Sequence, residues 1–355
     1  MAPAITHRHT ASPHLAEDNT ASAPLSQQDS SSLERLDSTR LSQQIDEELD
    51  LVKGLMRESL GAPESWPAVA ASLYHLDTGG SYLRARLALM SGMAFGASVA
   101  HRTAAAAATE LVHNASLVHD DICDGDTQRR QQPAVWQREN TAVALCSGDL
   151  LLTAAFRVAL KSDSPDHSLL LIQRLTDRIS QIVAGQSLEV ARPASAQPVS
   201  HQAYLQATLA KTSPLIVLPL EAGAAGGTLS DPQHALLLRF ANAVGLSYQI
   251  IDDLDDVDVA AARHQVSTPH HRYHAWTWHS SRQRGHTPAA WQETMRRAVR
   301  HADAALNRAE RLKACFPSLL ACALDDVIAR LRGRLLTHMA TIDTLSGTSP
   351  QGETP

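Results

Sequence analysis

The 355-residue sequence predicts a single large all-α domain, and three observations point to it. Hydrophobic residues make up 44% of the chain but aromatic ones only 4%, so the core must be built from Ala, Leu, Val and Ile. That balance suits packed helices better than strands, which favour aromatic and β-branched side chains. From Leu41 onward apolar residues recur at helical spacing, with no alternation of strand and helix of the kind a parallel α/β sheet requires.

Start and stop signals place the helices in order. Ile45, Leu49, Leu51, Leu55 and Met56 define a first stripe, which ends near Gly61-Ala62-Pro63. A second helix covers Pro67 to Leu76 and halts at Gly79-Gly80, and a third spans 82–96. An Ala-rich helix runs from about Val99 to Asp124, where Ala104 to Ala108 permit close approach of neighbours. Further helices fit 139–161, 166–191, 201–226, 231–258, 289–313 and 318–342. Pro165, Pro198, Pro232 and Pro288 fall near helix starts, where proline is tolerated. Pro214 and Pro219 fall inside a helix and should kink it. The domain so defined covers residues 41–345.

Residues 1–40, rich in Ser, Thr, Pro, His and Gln, are expected to form a disordered tail, as are residues 346–355. A transit peptide is the alternative for the first stretch, and Glu17, Asp18, Asp29 and Glu34 weigh against it. Residues 264–287 carry six histidines (His264, His270, His271, His274, His279, His286) without a clear period, so a flexible loop is expected. Imidazoles there would suit a transition metal, but their spacing fits no known site. Trp276 and Trp278 in the same stretch are expected to pack or to act in a lid. The net charge of -6 gives no reason to expect nucleic acid as a partner. Four scattered cysteines without a CxxC pair predict a reduced, cytoplasmic protein. No signal-peptide pattern and no uncharged stretch long enough to cross a bilayer is present.

The chemistry-bearing residues come in two matching groups. Asp120, Asp121 and Asp124 share one predicted helix, and Asp252, Asp253 and Asp256 repeat the spacing on another. On a helix, i and i+4 stack while i+1 lies at the rim, so three carboxylates crowd together and repel unless cations bind. Mg²⁺ suits oxygen ligands and shares them with substrate phosphates, so two such clusters would clamp a diphosphate from two sides. A lone cluster is as readily a solvated acidic helix end; two, each following an apolar stretch, make coincidence a poor account. Arg129 and Arg130 follow at a distance that brings both guanidiniums back over the metal site, where bidentate phosphate contacts are available. Lys211 stands out because the chain has only four lysines among 31 basic residues, and Thr212 beside it offers a hydroxyl.

The stretch Leu117-Val118-His119-Asp120-Asp121-Ile122-Cys123-Asp124, with Arg129-Arg130 following, resembles the first aspartate-rich motif of the trans-polyprenyl diphosphate synthases. Tyr248-Gln249-Ile250-Ile251-Asp252-Asp253-Leu254-Asp255-Asp256 resembles their second. Gly185-Gln186, Lys211-Thr212 and the segment from Glu110 to His113 match intermediate signatures of the same family, and bacterial geranylgeranyl diphosphate synthases are similar. The resemblance implies an antiparallel helix bundle of the isoprenoid synthase type around a central cavity, usually a homodimer, with three Mg²⁺ per active site. It implies head-to-tail condensation of isopentenyl diphosphate with an allylic prenyl diphosphate. By position, Asp120, Asp121, Asp124, Asp252, Asp253 and Asp256 would hold the metals. Arg129, Lys211, Thr212 and Gln249 would contact the allylic diphosphate, and Arg84, His113 and Arg130 the isopentenyl diphosphate. Asp120, Asp121, Arg129, Lys211 and Asp252 would carry the chemistry.

Two departures stand against that pattern. A lysine expected on isopentenyl diphosphate is Ser81 here, and the lysine-bearing loop after the second motif is replaced by the His/Arg-rich stretch. Each lost charged contact costs about 1.5–3 kcal/mol, and Arg86, Arg263, Arg272, Arg282 or Arg284 could compensate. In the family, the residues four and five before the first motif often form the floor of the tail cavity. Here they are the small Ser116 and Ala115, which favours a product longer than C15, with C20 the first choice. A cyclase-like lyase of the same fold is the main alternative, although the N-S-E type second motif of such enzymes is missing. A non-catalytic subunit of a heteromeric synthase is the other, against which the intact aspartates argue.

Overall fold

The computed structural model describes residues 27–61, 63–191, 200–255 and 288–347. Contacts divide the chain between Gln44 and Ile45 into two units. Within the first, the described residues are helical: α1 (Gln27–Ser59) begins inside the stretch whose composition suggests a tail.

The described residues of the second unit are helical almost throughout. After α1 come α2 (Pro67–Asp77), α3 (Leu83–Ala94) and α4 (Val99–Asp124). A short hairpin, β1 (Gln128–Arg129) paired antiparallel with β2 (Gln132–Pro133), leads into α5 (Val135–Arg138). Then follow α6 (Thr141–Ala159), α7 (Pro165–Val190), α8 (His201–Lys211), α9 (Pro214–Ala224) and α10 (Asp231–Asp255). The last two helices of the described residues are α11 (Pro288–Lys313) and α12 (Ser318–Gly347).

The buried stripe of α1 is Ile45, Leu49, Val52 and Met56, continued by Leu60 just past its end, whereas Leu51 is 56% exposed. The i, i+4, i+7 rhythm explains the difference, because Leu51 is rotated off the face that Ile45 begins. The helix expected over 201–226 is two helices. Pro214 cannot donate a backbone bond and its ring clashes with the carbonyl four residues back, so α8 ends at Lys211 and Pro214 opens α9.

Small residues set the close packing. Ala104 to Ala108 on α4 are all essentially inaccessible, and Ser98 caps the helix by accepting a 3.1 Å bond from the His101 amide. Gly223 on α9 lies against the Ala88 carbonyl of α3, where a Cβ would collide. Glu221, fully buried on α9, ties three helices together. It accepts bonds from Arg178 of α7 at 2.6 and 2.9 Å and contacts His234 of α10 at 2.8 Å. Phe240 of α10 meets Phe316 edge-on at 5.9 Å beside the α11–α12 turn. α6 is long and apolar enough to cross a membrane by length and composition, yet Leu151, Ala154, Ala155 and Val158 pack into the protein.

Candidate active site

The first carboxylate cluster occupies the last turn of α4, which Gly125 closes in the left-handed conformation at φ 74°. Asp121 turns inward and is 1% exposed, while Asp120 and Asp124 are half-buried. Burial pushes the Asp121 carboxyl upward, opposed by Arg129. The Arg129 Nε donates to Asp121 Oδ1 at 2.8 Å, and a second guanidinium nitrogen bonds the same oxygen. Asp121 Oδ2 is buried without a hydrogen-bond partner. Oxygen donors, one of them orphaned, fit a hard divalent cation such as Mg²⁺.

The hairpin sends the two arginines apart, contrary to the expectation that both return over this cluster. Arg130 and Gln131 form its turn with φ of 53° and 63°. Arg129 folds back on Asp121, while Arg130 reaches the Gly79 carbonyl and Thr78 Oγ1, the latter at 3.3 Å.

Lys211, at the end of α8, has its Nζ 3.8 Å from Asp120 Oδ1. Gly185 makes that position possible, since a Cβ there would lie 2.6 Å from the Lys211 backbone nitrogen. Gln186 beside it has both amide atoms buried without a partner. Thr212 Oγ1 donates to Gln249 Oε1 at 2.8 Å, and Gln249 Nε2 donates to Asp253 Oδ1 at 2.9 Å. Gly245 lets α10 approach here, because a Cβ would come within 2.7 Å of Ser213 Oγ.

The second cluster divides by burial. Asp253 is 5% exposed, and its Oδ2 accepts a 2.8 Å bond from the Tyr204 hydroxyl, so both oxygens are already engaged. Asp252 is half-exposed and faces Arg334 of α12 at 3.3 Å. Asp256 and the His-rich stretch 264–287 lie outside the described residues, as do Arg263, Arg272, Arg282 and Arg284.

A second group of cations gathers around the starts of α3 and α4's middle. Gly79 (φ 81°), Gly80 (φ 147°) and Tyr82 (φ 50°) turn the chain into α3, and a Cβ at Gly80 would meet the Arg130 guanidinium at 2.9 Å. Glu110, 3% exposed, accepts a 2.9 Å bond from the Ala85 amide. Burial raises its pKa while the Arg84 charge opposes that rise. Arg84 Nε, His113 Nδ1 and His75 Nε2 are buried and have no hydrogen-bond partner. Burial, then Arg84 and Arg130, hold the His113 imidazole well below its usual range. Burial, then Arg130 and Arg129, lower His75 to about 4. Two guanidiniums and two neutral imidazoles with open nitrogens make a pocket suited to an oxyanion. His75 was not singled out by sequence; its signal is a lone histidine on the buried stripe of α2, beside Ser72 and Leu76.

Ser81 is exposed. Arg86 does not stand in for a lysine there, because it pairs with Asp46 at 2.9 Å. Ala115 is fully buried, and Ser116 is half-buried with its hydroxyl donating to the His113 carbonyl at 2.8 Å.

Elsewhere, His101, Asp163 and His167 bring three ligand-type atoms within 4.8 Å of one another. His101 Nδ1 contacts Ser162 Oγ at 2.8 Å, His167 Nδ1 contacts Asp163 Oδ1 at 2.7 Å, and the Ser98 hydroxyl donates to Asp163 Oδ2 at 2.7 Å. These bonds join the start of α4 to that of α7, some 28 Å along α4 from Asp120 at about 1.5 Å per residue.

Residues 68–265, more than half of the chain, match the sequence pattern of a family described as polyprenyl synthetase. A geranylgeranyl diphosphate synthase of Rhodobacter capsulatus is 37% identical over 221 residues, 59% of this chain and 72% of that protein. A short chain isoprenyl diphosphate synthase of Methanothermobacter thermautotrophicus is 32% identical over 202 residues, 57% of this chain. The chain spans only 62% of the length of that second relative. Among solved structures, a decaprenyl diphosphate synthase from Rhodobacter capsulatus superposes with a TM-score of 0.71 at 21% identity, covering 84% of this chain and 99% of that one. That likeness establishes the fold as the all-α bundle expected.

Proposed function

The chain belongs to the polyprenyl synthetase family, and on that premise we propose that it condenses isopentenyl diphosphate with an allylic prenyl diphosphate. The observation that carries the reading is the Lys211-Thr212 pair, which touches Asp120 on one side and, through Gln249, Asp253 on the other. An allylic diphosphate lying between the clusters would meet Lys211, Thr212, Gln249 and Arg129. Mg²⁺ held by Asp120, Asp121, Asp124, Asp252, Asp253 and Asp256, three ions per site in this proposal, would supply charge that stabilises the departing diphosphate. Arg129 and Lys211 would place fixed positive charge where the leaving group develops its own, the largest effect such a site offers. Arg84, Arg130 and His113 would orient isopentenyl diphosphate in the second pocket, whose unpartnered nitrogens await an acceptor.

Geranylgeranyl diphosphate is the proposed product, supported by the small Ala115 and Ser116 ahead of the first cluster and by the name of the Rhodobacter relative. Substituting Ser116→Phe should then shorten the product to C15. A homodimer is proposed from exposed apolar side chains on neighbouring helices, Leu145 of α6 and Leu169 and Val183 of α7. The four cysteines are free thiols, which suits a cytoplasmic setting.

One assay tests the reading. Protein with Mg²⁺ and farnesyl diphosphate should incorporate labelled isopentenyl diphosphate into a C20 prenyl alcohol, released by phosphatase. Hydrocarbon formed without isopentenyl diphosphate would make the chain a cyclase-like lyase. No product with any allylic primer would make it a non-catalytic subunit.

A further inference from the structure

The end of α10 concentrates negative charge: Asp252, Asp253 and Asp255 fall within four residues. Asp253 is satisfied from inside by Gln249 and Tyr204, but Asp252 and Asp255 point outward and are half-exposed. Helix α12 meets them with two basic residues one turn apart. Arg334 bonds Asp255 Oδ2 through Nε at 3.1 Å and through a second guanidinium nitrogen, which also lies 3.3 Å from Asp252 Oδ1. His338 Nε2 contacts the other oxygen of Asp255, Oδ1, at 2.6 Å. The guanidinium carbon of Arg334 also lies 5.6 Å from the centre of the Tyr248 ring.

We propose that Arg334 is a positioning residue for the second carboxylate cluster: a resident counter-ion, anchored by Asp255, which Asp252 engages until a divalent cation takes its place. The inference rests on the reading of Asp252 as a metal ligand given above. Asp255, which is not one of the three spaced aspartates, has a role in this arrangement. Its two bonds hold Arg334 firmly, so a cation can draw Asp252 away while the guanidinium stays within reach of an incoming diphosphate. The contact to Asp252 is the longest of the set and is single, whereas Asp255 holds the guanidinium through two nitrogens, so it is the one that yields. Arginine is suited to this because its planar fork serves two carboxylates at once and never loses its charge. A guanidinium and a divalent cation compete for Asp252, because each neutralises the same carboxylate and the arginine raises the local potential against the metal.

The test uses the full chain without substrate, with Mn²⁺ as the probe and free Mn²⁺ followed by electron paramagnetic resonance. Arg334→Gln should bind Mn²⁺ about three- to tenfold more tightly than the parent protein, the change expected when a repelling charge leaves a half-exposed site. Arg334→Lys, which keeps the charge, should restore an affinity near that of the parent. Unaltered or weaker Mn²⁺ binding by Arg334→Gln would overturn the inference, provided its melting curve in chelator shows a folded protein. Should Arg334→Gln fail to fold, Arg334→Met or the Arg334→Lys affinity decides, because a purely structural arginine would not make metal affinity follow charge. Asp252→Asn separates the two ideas. If it weakens Mn²⁺ binding while Arg334→Gln has no effect, this inference fails and the metal-ligand reading stands; if it leaves binding unchanged, both fail.

Discussion

Lys211 Nζ lies 3.8 Å from Asp120 Oδ1, an ion pair across α8 and α4 in which both side chains are about one-fifth exposed. The next residue, Thr212, bonds Gln249 one turn ahead of Asp253. One dipeptide therefore reaches both carboxylate clusters, Asp120 directly and Asp253 through Gln249, and a diphosphate between them would accept a charge-assisted hydrogen bond from Lys211. Removing that bond in Lys211→Met should cost about 1.5–3 kcal/mol, or roughly ten- to a hundredfold in KM for the allylic substrate. Steady-state kinetics check this; an unchanged KM would show that Lys211 serves only Asp120.

Gly185 makes the second prediction. A Cβ at this position would stand 2.6 Å from the Lys211 nitrogen and 2.7 Å from the Ala210 carbonyl carbon, both backbone atoms that cannot rotate away. Gly185→Ala should push α7 off the end of α8, destabilise the fold by about 1–3 kcal/mol and raise the allylic KM. Urea unfolding read together with KM tests both consequences.

His75 predicts a pH dependence. Burial and then Arg130 and Arg129 lower its pKa from 6.5 to about 4, so the folded protein holds it neutral. Above pH 6.5 the group is neutral in both folded and unfolded chains and contributes no slope. Between pH 6.5 and 4 the unfolded chain takes up a proton that the folded one refuses, so stability falls as pH falls, by about 3 kcal/mol in full. Replacing it in His75→Asn should flatten stability over that window, measured by denaturant melts at pH 7 and pH 5. An unchanged slope would contradict the assignment.

Ser81 offers a gain-of-function test. It is exposed on the glycine turn that precedes Arg84, so a lysine there can reach toward the Arg84, His113 and Arg130 pocket. Ser81→Lys should lower the KM for isopentenyl diphosphate by about tenfold while leaving that for the allylic substrate unchanged. A shift in both, or in neither, would place the isopentenyl pocket elsewhere.

Much of this was legible in the sequence because helices announce themselves locally. α4 runs from Val99 to Asp124 as periodicity suggests, and Asp120, Asp121 and Asp124 on α4 and Asp252 and Asp253 on α10 fall on helices as expected. What escaped the sequence depends on contacts between distant segments. The left-handed turn at Arg130 and Gln131, which separates two adjacent arginines, has no glycine to mark it. The inward turn of Asp253 depends on Tyr204, and the cations on Asp252 and Asp255 come from a helix more than seventy residues away in sequence. Leu51 is exposed although Leu49 and Val52 are buried, because an apolar residue next to a buried stripe resembles part of it but is rotated off its face.

The central claim is that two carboxylate clusters act together to draw the diphosphate from an allylic substrate. The most direct measurement is turnover of Asp120→Ala and Asp252→Ala with saturating Mg²⁺ and both substrates, each variant first shown to melt like the parent. Each substitution should reduce turnover by about two or more orders of magnitude, as expected when electrostatic stabilisation of a leaving group is lost. A near-normal rate for either would contradict the account.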